Sequence, residues 1–149
     1  MGPVIRRPVA MVAAIVLFVE AGAVAWLNWF LGIVVDRQDM SLAGLDPDAM
    51  STSSKAGGLV FGLYFALCGL AALLVALRGR PATGVRRVLL ISAAVVHGLL
   101  GAFAVGLVGW GAFTFMMVVL GLVLLTLMTD DRQAAPADAV TSPSASTTP

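Results

Sequence analysis

The sequence predicts an all-α membrane protein, a bundle of four transmembrane helices. Three observations lead there. Of the 149 residues, 60% are hydrophobic and only 11% charged, with a mean hydropathy of +1.00; a soluble domain keeps roughly a quarter of its residues charged. The apolar residues gather into four runs, each at or near the ~20 residues a helix needs to cross a ~30 Å hydrocarbon core. The basic residues cluster at alternate run ends, as the positive-inside rule requires.

The first run spans Val9–Val35, interrupted only by Glu20 and Asn28. Its 27 residues make about 40 Å of helix, so it must tilt or project beyond the hydrocarbon. Pro8 is expected at its entrance, where a missing N–H costs nothing. A cleaved signal peptide is the rival reading, because Arg6 and Arg7 precede the run and Ala23-Val24-Ala25 forms an A-x-A site. The run continues apolar past that site to Val35, which favours an uncleaved span.

Between Asp36 and Ala56 lies the longest loop. Asp46-Pro47-Asp48 reads as a helix start, with a capping Asp, Pro at the first helical position and an acid near the positive helix end. Met40, Leu42, Leu45 and Met50 would anchor this segment as a short interfacial helix on the outer surface. The aspartate spacing fits no calcium loop.

The second run, Gly57–Leu77, and the third, Val88–Val108, flank a tight turn holding Gly79, Pro81 and Gly84. The fourth, Ala112–Met128, is short. These four spans make one domain over residues 1–129. The tail, 130–149, is rich in Ala, Ser, Thr and Pro. It cannot bury enough apolar surface to order itself, and a disordered cytoplasmic segment is expected.

Arg6, Arg7, Arg78, Arg80, Arg86, Arg87 and Arg132 fall on one side of the membrane, Arg37 and Lys55 on the other, the latter among Asp36, Asp39, Asp46 and Asp48. Both termini should therefore be cytoplasmic. Trp26, Trp29 and Trp110 belong to the outer interface.

Lipid is no less apolar than leucine, so helices associate through close backbone approach and polar contacts. Ala14, Ala21, Ala25, Asn28 and Gly32 share one face of the first helix; Gly58, Gly62, Gly69, Ala72 and Ala76 share one of the second; Ala93, His97, Gly101 and Ala104 share one of the third. Gly58 and Gly62 have GxxxG spacing, which suits packing between neighbours in the chain better than a homodimer contact. The fourth helix, with only Gly121 of this kind, should be the most lipid-exposed.

Three polar residues within the spans form the candidate intramembrane site: Glu20, His97 and Asn28. Ionisable groups at membrane depth are rare and usually functional. Glu20 and His97 lie at matching depth and each is the other's best chemical partner; a hydrogen bond between them, direct or through one water and sharing one proton, stands beside the reading in which each finds a separate backbone or hydroxyl partner or Glu20 is simply neutral. Asn28 is expected to bond another helix. One histidine excludes a multi-histidine metal or haem site, and no serine has a triad or phosphate-loop context. No metal, cofactor, enzymatic activity or nucleic-acid partner is expected. Lone Cys68 reads as a small buried apolar residue.

Eight of the nine basic residues are arginine, and the apolar residues are mostly Ala, Val, Leu and Gly. In that style the chain resembles small four-span membrane proteins of actinobacteria, which implies the bacterial cell membrane. Four spans with a carboxylate in the first also resemble the small multidrug-resistance transporters. That likeness implies a dimer and proton coupling through Glu20, although the first outer loop here is far longer. Two functions follow: a noncatalytic scaffold or partner subunit, bound to another membrane protein or a second copy, or a small proton-coupled transporter. A sealed Glu20 favours the first and a water-accessible Glu20 the second.

Overall fold

The computed structural model describes residues 3–39, 44–79 and 82–134. Within them the chain is all helix: α1 (Pro3–Arg37), α2 (Pro47–Arg78), α3 (Val85–Leu107) and α4 (Trp110–Ala134), with no strand. All four are long and apolar enough to cross a membrane. Arg80, Met40 and Leu42, and the tail beyond Ala134, lie outside the described residues.

Each helix exceeds the run that predicted it, because hydropathy marks the apolar stretch and backbone bonding continues past it. The largest difference is in α2. Asp46 does start a helix: its carboxylate accepts from the N–H groups of Asp48 and Ala49 at 2.9 and 3.2 Å, and Pro47 occupies the first turn. That helix is not a separate short element, however. It runs unbroken into the second span, because Ser51 is buried and Lys55 lays its stem across Gly32 of α1, so this polar segment is packed too. Pro8 also differs from expectation. It lies inside α1, not at its entrance, and removes the bond its N–H would have made to the carbonyl of residue 4. At the other end of the chain, α4 continues to Ala134, five residues into the segment expected to be tail.

The small faces explain the packing. Residue numbers along α1 fall as those along α2 rise: Gly32 meets Ser51 and Lys55, Asn28 and Ala25 meet Gly58, Ala25 and Ala21 meet Gly62, Phe18 and Ala14 meet Gly69, and Arg7 meets Gly79. The two helices are thus antiparallel and in contact along their length. A Cβ on Gly58 would stand 2.5 Å from Asn28 Cβ, and one on Gly62 3.0 Å from Ala25 Cβ. The GxxxG pair is spent on a neighbour within the chain. On α3, Gly101 receives Met116, Met117 and Phe113 of α4.

These pairs make two hairpins. α1–α2 is the most extensive helix contact and α3–α4 the next, while α1–α4 and α2–α3 meet more sparingly. α1 and α3 are diagonal. The core is narrow and runs down the centre through Ala13, Leu17, Phe65, Cys68, Leu90, Ala93, Val119 and Val123. Large apolar side chains face outward on every helix, among them Val19, Leu63, Phe103 and Val118. α4 buries 22% of its most apolar stretch against 44% for α2, the smallest share of the four.

Gly79 ends α2 in the left-handed conformation (φ +61°), its N–H bonded to Val75 O at 3.1 Å. Gly109 (φ +114°) makes the short turn into α4. Antiparallel packing gathers Arg7, Arg78, Arg86 and Arg87 at one end. Asp36, Asp39, Asp46 and Asp48 lie at the other, where Trp26, Trp29 and Trp110 are exposed.

Candidate functional site

Glu20 projects from the middle of α1 toward the bundle axis. It lies on the same side as Leu17, and it is only 6% exposed. His97 comes from the diagonal helix and is fully buried. The two meet: His97 Nε2 and Glu20 Oε2 are 2.9 Å apart. The other ring nitrogen, Nδ1, is 2.7 Å from Ala93 O one turn earlier on α3. Phe65 of α2 lies edge-on to the imidazole, ring centroids 5.5 Å apart. Three helices therefore build the site, with an aromatic wall on one side.

The contacts fix one proton and confine a second. A carbonyl oxygen only accepts, so Nδ1 carries a hydrogen. In a neutral imidazole Nε2 is then a bare acceptor, and Glu20 must be the donor, as a carboxylic acid. If the carboxyl is ionised, Nε2 must carry a hydrogen and the ring is imidazolium. Both arrangements hold one proton between Nε2 and Oε2, and both are neutral overall. A lone charge at this depth costs about 3 kcal/mol on insertion scales, so sharing the proton lets a carboxyl sit in an apolar bundle.

The remaining candidates separate from this centre. Asn28 differs from expectation: among the described residues its side chain bonds its own helix, the amide donating to Val24 O on α1 at 2.9 Å. The contact between helices at that level uses Asn28's backbone instead, whose carbonyl accepts from Ser54 Oγ of α2 at 2.9 Å. Gly58, Gly62, Gly69 and Gly101 act in packing. Cys68 is buried, and its thiol points to Leu89 O of α3 at 3.5 Å.

One polar pair escaped the sequence reading. Tyr64 of α2 and Ser92 of α3 bring their hydroxyl oxygens to 2.9 Å, and Ser92 also donates to Leu89 O. Because Leu89 O receives a hydrogen, Ser92 Oγ is left as acceptor and the Tyr64 hydroxyl donates. The available signal was that a tyrosine hydroxyl at membrane depth needs a partner. On α4, Thr126 satisfies its hydroxyl on Leu122 O.

Among the described residues no three His, Cys, Asp or Glu side chains gather as metal ligands. An open hollow of about 290 Å³ lies near the start of α2, lined by Leu45, Ala49, Met50 and Ser53. No family model, curated protein or solved structure matches the chain.

Proposed function

We propose that the chain is a noncatalytic component of the bacterial cell membrane, with both termini in the cytoplasm. It serves as a helical scaffold or as the subunit of a complex, with another membrane protein or a second copy as partner. The observation that carries this reading is the closure of the polar centre. His97 is 0% exposed and Glu20 6%, and each engages the other. A proton-coupled carrier must open its carboxyl to water on each side of the membrane in turn. Both imidazole nitrogens are also committed, which leaves the single histidine no free nitrogen for acid–base catalysis. The gathering of Arg7, Arg78, Arg86 and Arg87 at one end supports cytoplasmic termini.

The test is twofold. Mild-detergent purification from native membranes should yield the chain with a stoichiometric partner. In liposomes containing the purified chain, proton flux should equal that of empty vesicles and be unchanged by Glu20→Gln. Flux that follows an imposed gradient and disappears in Glu20→Gln would replace this reading with a small proton-coupled transporter.

A further inference from the structure

The two hairpins differ sharply in how they are held. Within α1–α2, backbones approach across Gly58 and Gly62, and within α3–α4 methionines fill the space at Gly101. Between the hairpins the contact is sparser and polar groups recur. Glu20–His97, Tyr64–Ser92 and Cys68–Leu89 O all cross from the first hairpin to the second. Close packing dominates within the hairpins, with Ser54 Oγ donating to Asn28 O near one end of the first, and side-chain hydrogen bonds recur across the seam between them.

We propose that this seam is a proton-operated latch: removing the one proton shared by Glu20 and His97 loosens the first hairpin from the second. The proton passes to a base in solvent. What remains is a carboxylate facing the lone pair of Nε2, because Nδ1 keeps its hydrogen on Ala93 O. The hydrogen bond at 2.9 Å becomes a repulsion, and an unpaired negative charge is left among apolar side chains. Separation of the hairpins lets water reach that charge. Among the described residues no shared proton bridges α1 to α2 or α3 to α4, and those contacts stay closed. The titratable groups packed around the pair are few. α2 brings Tyr64 and Cys68, α1 and α3 bring only Glu20 and His97 at this depth, and α4 has none between Trp110 and Met128. Glu20 keeps the slight exposure of the two and is the side from which the proton leaves.

The latch stands apart from the identity of any partner, so a failed partner search leaves it intact. It is tested on the full chain in nanodiscs by distance measurement between spin labels, in a Cys68→Ser background that keeps a donor for Leu89 O and removes the thiol. One label pair, at Thr52→Cys and Gly111→Cys, spans the seam from exposed positions on α2 and α4. A second, at Gln38→Cys and Thr52→Cys, stays within the first hairpin. Raising the pH from about 6 to about 9, through the ordinary imidazole range, should broaden the distances across the seam and leave those within the hairpin unchanged. Glu20→Gln cannot lose the proton, and its amide still donates to Nε2, so its seam distances should stay narrow throughout. His97 is the only histidine, so ¹⁵N-histidine spectra of the wild type give a second readout that does not depend on any variant folding. Nε2 should change with the same midpoint as the seam, while Nδ1 stays protonated. The latch is overturned by wild-type seam distances that ignore pH, by equal broadening within the hairpin, by Glu20→Gln opening as the wild type does, or by opening without a change at Nε2.

Discussion

Gly58→Ala places one methyl group where α1 and α2 are closest. The new Cβ would stand 2.5 Å from Asn28 Cβ and 3.3 Å from Ala25 O. Carbon atoms prefer about 3.5–4.0 Å, so the helices must separate by about 1 Å at that level. Asn28 cannot yield by a side-chain rotation, since Cβ is fixed to the backbone. Overpacking of this kind costs about 1–3 kcal/mol, and the better helix propensity of alanine returns about 0.5–1 kcal/mol. A net loss of up to about 2.5 kcal/mol is expected. Gly98→Ala is the matched control: it too is in a helix, but nothing lies within 4 Å of its added Cβ. It should be neutral or gain up to about 1 kcal/mol. Reversible unfolding in mixed detergent micelles, compared at equal protein concentration, measures both. If Gly58→Ala proves as stable as Gly98→Ala, the close approach of α1 and α2 is wrong.

Other consequences follow from single contacts. Asp46→Ala removes the carboxylate that caps α2 and should cost about 1 kcal/mol, seen as faster amide exchange at Asp48 and Ala49 with the centre of α2 unchanged. Cys68 is fully buried, so a maleimide should label it slowly in mild detergent and rapidly once the chain is unfolded; equal rates would place the thiol at the surface. A periplasm-active phosphatase fused after Gln38 should be active and one fused after Ala134 inactive, while the reverse would invert the orientation.

Much of this arrangement is legible in the sequence, for physical reasons that differ by level. The spans are legible because lipid demands long apolar runs. The inner faces are legible because close helix approach demands small residues at helical spacing, and Gly58, Gly62 and Gly69 do lie against α1. The Glu20–His97 bond is only half legible: depth puts the two groups at one level, but that side chains on diagonal helices reach each other at 2.9 Å is set by the packing. Asn28 shows the limit. A short amide can bond its own preceding turn as readily as a neighbour, and only the geometry distinguishes these. The first turns of α2 are obscured for another reason: Ser51 through Lys55 are polar, and the packing of Ser51 and Lys55 depends on Gly32 of a different helix. Tyr64–Ser92 required knowing which faces of α2 and α3 meet, and neither helix states that by itself.

Glu20 and His97 form one neutral, buried unit. A double-mutant cycle with apolar replacements of similar size, Glu20→Met and His97→Leu, tests this most directly in the same micelle assay. Each single variant leaves its partner buried without a bond, an expected loss of about 1–3 kcal/mol and more if the orphan stays charged. The double variant leaves an apolar core with no orphan, so it should be less destabilised than the sum of the two and near the milder of them. Strictly additive losses would show two independent residues and contradict the unit.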